Sequence, residues 1–249
     1  MVRTLLICGL VAGVVAGVLA FAFESVVGEP AVDAAIAFEE AGAPAGATGE
    51  EAVSRKVQKG FGLLSASVVY GLALGGLFAL VFALGYGRIG RGRWSPGRTA
   101  LGLAAAAFVV VFLVPSLKYP PNPPAVGDPD TIGERTALYL TMVGISIAAA
   151  VAGWRLRRAL ATRLDGDAAS VLGLLGYVAI AAAAALALPG TSAIPQTFPA
   201  DTLWEFRQAS IGTQLVLWSA IGIVFALLAQ RVMTGRRLPS LRRVVAAGD

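Results

Sequence analysis

Apolar residues run in six long blocks along this chain, and charge is confined to the stretches between them. Near 4–23, 62–84, 99–114, 137–153, 169–188 and 210–230 the sequence is almost unbroken Ala, Leu, Val, Ile, Gly and Phe. A helix needs about 20 such residues to cross the hydrocarbon layer of a bilayer. With no water there to satisfy backbone N–H and C=O groups, a spanning segment must satisfy them internally. The pattern predicts an all-α, polytopic membrane helix bundle of about six transmembrane helices. The third and fourth blocks are short, and each is expected to borrow a turn from its flank. Residues 1–232 are read as the bundle and 233–249 as a basic cytoplasmic tail.

The polar stretches alternate in sign. One set carries Arg88, Arg91, Arg93 and Arg98, then Arg155, Arg157, Arg158 and Arg163, then Arg231, Arg236, Arg237, Arg242 and Arg243. With Arg3, this side holds 14 of the 20 basic residues and only Asp165, Asp167 and Asp249 as acids. The other set holds the remaining 12 acids, from Glu24 to Glu51, from Asp128 to Glu134, and at Asp201 and Glu205. Basic residues near span ends stay on the cytoplasmic side. The expected topology therefore has cytoplasmic N- and C-termini and three long outer loops, in a bacterial cytoplasmic (inner) membrane. Trp94 and Trp154 are read as interface residues on the inner side, and Tyr119, Tyr139 and Trp204 on the outer.

Composition narrows the function classes. Only 14% of residues are charged, against about 25% in an ordinary soluble domain. The pI near 9.8 would suggest nucleic acid in a soluble protein. Here the arginines sit at span ends, where anionic lipid heads answer them, so the partner is the lipid bilayer and not nucleic acid. Histidine is absent, which removes the Ser-His-Asp triad and the common His-containing zinc sites. The spans carry almost no ionisable residue, and the single Cys8 allows no intrachain disulfide. An enzyme is not expected. Gly85-Tyr86-Gly87-Arg88-Ile89-Gly90 fits a dinucleotide-binding pattern, but that pattern needs a strand before it and a helix after. Here it follows a span and reads as a flexible basic loop.

Gly9, Gly13 and Gly17 recur every fourth residue, as do Gly71 and Gly75, placing glycine on one helix face for close packing. The first block also resembles a signal peptide, with Arg3 ahead of an apolar run and small residues at its end. A retained helix and a cleaved one are both open.

The outer loops hold the candidate chemistry. In the second, six of 13 prolines fall between Pro115 and Pro129, and proline stiffens an extended segment at low entropic cost. A plain connector would not need that stiffness. Lys118, Tyr119, Pro120, Pro121 and Asn122, the only asparagine, are structural or gating candidates. Asp128, Asp130 and Glu134 offer hard oxygen ligands or caps for the following helix. In the third loop, a helix starting at Asp201 would align Asp201, Glu205, Gln208 and Gly212 on one face, with Arg207 beside them. The candidate metal set is Asp128, Asp130, Glu134, Asp201 and Glu205. The first loop is expected to hold a short acidic helix with Val32, Ile36 and Phe38 as its apolar face.

These loops also resemble a known family. Gly28-Glu29-Pro30-Ala31-Val32-Asp33 in the first, Ser54-Arg55 with Gln58 before the second span, the string from Pro115 to Gly133 in the second loop, and Leu203-Trp204-Glu205-Phe206-Arg207 in the third are similar to the CbtA family of predicted cobalt transporter subunits. The resemblance covers nearly the whole chain. It implies cobalt uptake linked to vitamin B12 synthesis, with divalent cobalt as the transported substrate and no resident cofactor. It also implies a small histidine-bearing membrane partner of the CbtB type. Cobalt favours imidazole and carboxylate, and this chain supplies oxygen alone. The alternative is a scaffold that docks a metal-binding partner through its rigid outer loops.

Overall fold

The computed structural model describes residues 1–42, 54–191 and 194–235. The acids Glu50 and Glu51 and the tail beyond 235, with Arg236, Arg237, Arg242 and Arg243, lie outside the described residues. Six helical segments are long and apolar enough to cross a membrane: Val2–Gly42, Arg55–Gly85, Pro96–Lys118, Pro129–Leu160, Gly166–Ala187 and Ala200–Thr234. No strand occurs among the described residues. The third and fourth helices do extend past their apolar blocks, the third to Pro96 and Lys118 and the fourth to Pro129 and Leu160. The segment from Gly85 follows a helix, Leu63–Gly85, so the strand that a dinucleotide site requires is missing there. Large side chains remain exposed along the fifth helix, among them Val171, Leu174, Val178 and Leu186, as a bilayer-facing surface requires.

The helices divide into two compact units, one of Met1–Ala22, Val53–Ala105 and Leu215–Asp249, the other of Phe23–Ala52 and Ala106–Gln214. In the first unit, the glycine faces of the first and second helices meet backbone to backbone. A Cβ placed on Gly9 would strike the Gly75 carbonyl, one on Gly13 the Gly71 carbonyl, and one on Gly17 the Ser67 carbonyl. Phe78 and Phe82 pack edge-on to Phe225 of the sixth helix, with centroids 5.1 and 4.9 Å away. The Gly97 amide at the start of the third helix donates to Gln230 Oε1 at 3.1 Å, which answers one of the amides that a helix N-terminus leaves without an internal partner.

The second unit is built on a hairpin of the fourth and fifth helices. Gly153 and Gly173 let the two backbones approach. A buried hydroxyl pair, Ser146 with Tyr177 at 3.0 Å, joins the helices. Arg157 Nε donates to Ser170 Oγ at 2.8 Å. Asp165 caps the fifth helix, accepting from the amides of Asp167 and Ala168. Described residues from all three polar connections that precede the second, fourth and sixth helices pack together in this unit. Ala35 of the first, Val126 of the second and Phe198 of the third form one buried cluster, flanked by Phe38, Ala125 and Leu203. Phe38 and Phe198 pack edge to face at 5.0 Å. The first-loop helix, Glu29–Gly42, continues the first span through a π-helical turn, Glu24–Gly28. It buries Ala31 and Ala35 with Phe38 half-buried, while Val32 and Ile36 are half-buried beside that line. The packed face is therefore turned one position from the expected one, because alanine permits the closer approach.

Candidate functional site

The proline loop is held by its carbonyls. Pro115, within the last turn of the third helix, is buried, and the helix ends at Lys118. Tyr119 then leaves helical geometry and its hydroxyl donates to the Pro189 carbonyl at 2.8 Å. Only 5% of Tyr119 is exposed, so it anchors the loop internally. Burial pushes its phenol up from the ordinary value. The Lys118 ammonium lies 5.7 Å from the Tyr119 ring centre.

Two arginines from other elements complete the clamp. Arg207, in the second turn of the sixth helix, donates from Nη2 to Asn122 Oδ1 at 3.0 Å and from Nε to the Pro121 carbonyl at 3.4 Å. Arg135, in the first turn of the fourth, donates from Nη2 to the Asp128 carbonyl at 3.1 Å, with Nη1 and the Val126 carbonyl at 3.5 Å. Its Nε is buried without an acceptor. Among the described residues neither arginine pairs with a carboxylate. Gly127 makes the Arg135 arrangement possible. Its φ is +105°, and a Cβ there would collide with the guanidinium. Ala125 also has a positive φ, 63°, a strained conformation for an L-residue.

Each acid in the candidate metal set has a definite place. Asp128 precedes the short turn Pro129–Thr131 and accepts the Asp130 amide on Oδ1 at 2.9 Å. It is a cap, as acids before a helix often are. Its residue also lines a cavity of about 250 Å³ together with Glu134, Thr131, Gly127, Asn122 and Arg135. Asp130, Asp201 and Glu205 are exposed and do not line that cavity. The sixth helix starts at Ala200. Along its polar face, Asp201, Glu205 and Gln208 are exposed, and Gly212 packs on the Phe23 ring. Among the described residues no group of three or more acidic, cysteine or histidine side chains is placed to hold a metal ion.

A second cavity, about 330 Å³, adjoins the same loop. Ser116, Tyr119, Pro120, Pro121, Asn122, Arg135, Thr136 and Tyr139 contribute to its wall, and among the described residues no carboxylate does. Asn122, Arg135 and Thr191 line both cavities. Neither Arg135 nor Thr191 stood out in the sequence as a site residue. For Arg135 a signal existed: a cation in the first turn of a helix faces the positive end of the helix dipole and needs acceptors from elsewhere.

Six helices long and apolar enough to cross a membrane define a class, the polytopic membrane proteins. Residues 2–230 match the family model described as "Probable cobalt transporter subunit (CbtA)", and the chain belongs to that family. No curated protein and no solved structure matches it.

Proposed function

We propose that this chain is the membrane-embedded permease subunit of a cobalt uptake system in the bacterial cytoplasmic membrane, serving vitamin B12 synthesis. The arginine-rich connections face the cytoplasm with both termini, and the clamped loops face outward, because basic residues are retained inside. Divalent cobalt is drawn to the small cavity by the carboxylates of Asp128 and Glu134, and Asp130, Asp201 and Glu205 raise its local concentration from the rim. The observation that carries this reading is the shared wall of Asp128 and Glu134 in one cavity of the loop assembly. Two carboxylates do not fill a cobalt coordination shell, and cobalt accepts imidazole readily. A small histidine-bearing subunit of the CbtB type completes the shell and hands the ion into the bundle.

The scaffold reading retains one specific support, the lack of a three-ligand group among the described residues. Cobalt uptake by cells producing Glu134→Gln, Asp128→Asn or Glu205→Gln separates the two. A higher cobalt concentration for half-maximal uptake, at equal protein level, supports direct contact. An unchanged dependence in all three assigns the metal to the partner and leaves this chain as the scaffold.

A further inference from the structure

We propose that the larger loop cavity is a binding site for a small carboxylate, taken up free or as the chelating shell of a divalent metal. The site does not depend on the cobalt assignment, since its chemistry is that of Arg135 and Asn122.

Arg135 is a half-buried cation without a carboxylate partner among the described residues. Two backbone carbonyls take one hydrogen each from its Nη atoms, the longer of these contacts at 3.5 Å. A guanidinium has five N–H donors, so hydrogens remain on both Nη atoms, and the enclosed Nε has no acceptor at all. The residue also sits at the positive end of a 29-residue helix, Ile132–Leu160, which adds to the local positive potential. A half-buried charge left in this state favours an anion beside it.

Asn122 faces the same way for a reason of its own. Arginine can only donate, so the side-chain oxygen must be the atom turned to Arg207. That leaves the Nδ2 amide as the group presented elsewhere, with no acceptor among the described residues. Both Asn122 and Arg135 line the larger cavity, where no carboxylate of the described residues competes for them. The smaller cavity, across the same two residues, has Asp128 and Glu134 in its wall. The larger cavity thus suits an anion and the smaller one a cation. At about 330 Å³ the larger space is at the lower end of ligand pockets, fit for a small molecule and far above a single water.

The test is calorimetric titration of the purified full chain in neutral detergent with citrate, in separate arms with and without equimolar cobalt. The expected result is saturable binding that weakens about tenfold or more in Arg135→Gln, in line with loss of a charge-assisted bond. Asn122→Asp guards against a folding artefact. It keeps an acceptor for Arg207, removes the amide donors and puts a negative charge in the wall, so citrate binding should be lost while the melting temperature holds. Tighter binding in the cobalt arm would identify the chelate as the preferred form, and equal binding the free carboxylate. Citrate binding that neither substitution weakens, no citrate binding at all, or equal displacement by sulfate would overturn the proposal.

Discussion

The Arg207 guanidinium reaches across 85 residues of sequence to the Asn122 side chain, 3.0 Å away, and fixes the orientation of the only asparagine in the protein. A second bond from the same guanidinium holds the Pro121 carbonyl. Lysine presents a point charge and cannot serve both acceptors in a planar fork. Arg207→Lys should therefore lower stability by about 1–3 kcal/mol, the usual cost of losing a hydrogen bond to a charged group. Faster amide hydrogen exchange confined to the proline loop would check this, and exchange equal to the parent protein would show that the clamp is dispensable.

Gly127 and Gly133 lie six residues apart and should respond oppositely to alanine. At Gly127 a Cβ meets the Arg135 guanidinium at a φ of +105°, whereas at Gly133 nothing lies within 4 Å. Gly127→Ala is expected to destabilise by more than about 1 kcal/mol, because the native conformation is incompatible with the new residue. Gly133→Ala, inside a helix, should be neutral or stabilising by up to about 1 kcal/mol. Thermal unfolding in detergent reads both. Equal melting temperatures for the two variants would contradict the geometry of the Arg135 seat.

The glycine contact of the first and second helices admits no side chain at its crossing points. Gly13→Leu or Gly71→Leu should abolish the folded, monodisperse protein, since each new side chain would displace backbone. Gly76→Ala is the matched control, with only Leu10 Cδ2 nearby at 3.6 Å, an ordinary van der Waals distance. Size-exclusion profiles of the three variants decide this. A monodisperse Gly71→Leu protein would mean the helices pack differently.

The spans were legible in the sequence because bilayer thickness imposes a length on each apolar block, and even the short third and fourth blocks could only be completed from their flanks. The cap at Asp128 was legible as an alternative to a ligand, since an acid before Pro-Asp-Thr has a local use. The anchoring role of Tyr119 was not legible. Its acceptor, the Pro189 carbonyl, lies 70 residues away, and no local pattern announces such a partner. The same holds for Arg207 and the Pro121 carbonyl, 86 residues apart. The first-loop helix was legible as an element, but its packed face turned from Val32 and Ile36 to Ala31 and Ala35, because hydrophobicity alone does not register how closely a neighbour approaches. Gly127 stood in plain view, and its meaning depended on a guanidinium that the chain delivers from the next helix.

The proposed admission of cobalt by this chain draws on the carboxylates of its loop assembly. It is tested most directly by cobalt entry into proteoliposomes holding the purified chain and the proposed histidine-bearing partner, followed with an internal metal-sensitive dye. Saturable entry should require both proteins. Asp128→Asn, which keeps an oxygen able to cap, combined with Glu134→Gln should raise the half-saturating cobalt concentration several-fold, and less so at high salt where exposed charges are screened. Cobalt entry with the partner alone at the full rate, or an unchanged half-saturation in the double variant, would contradict the account.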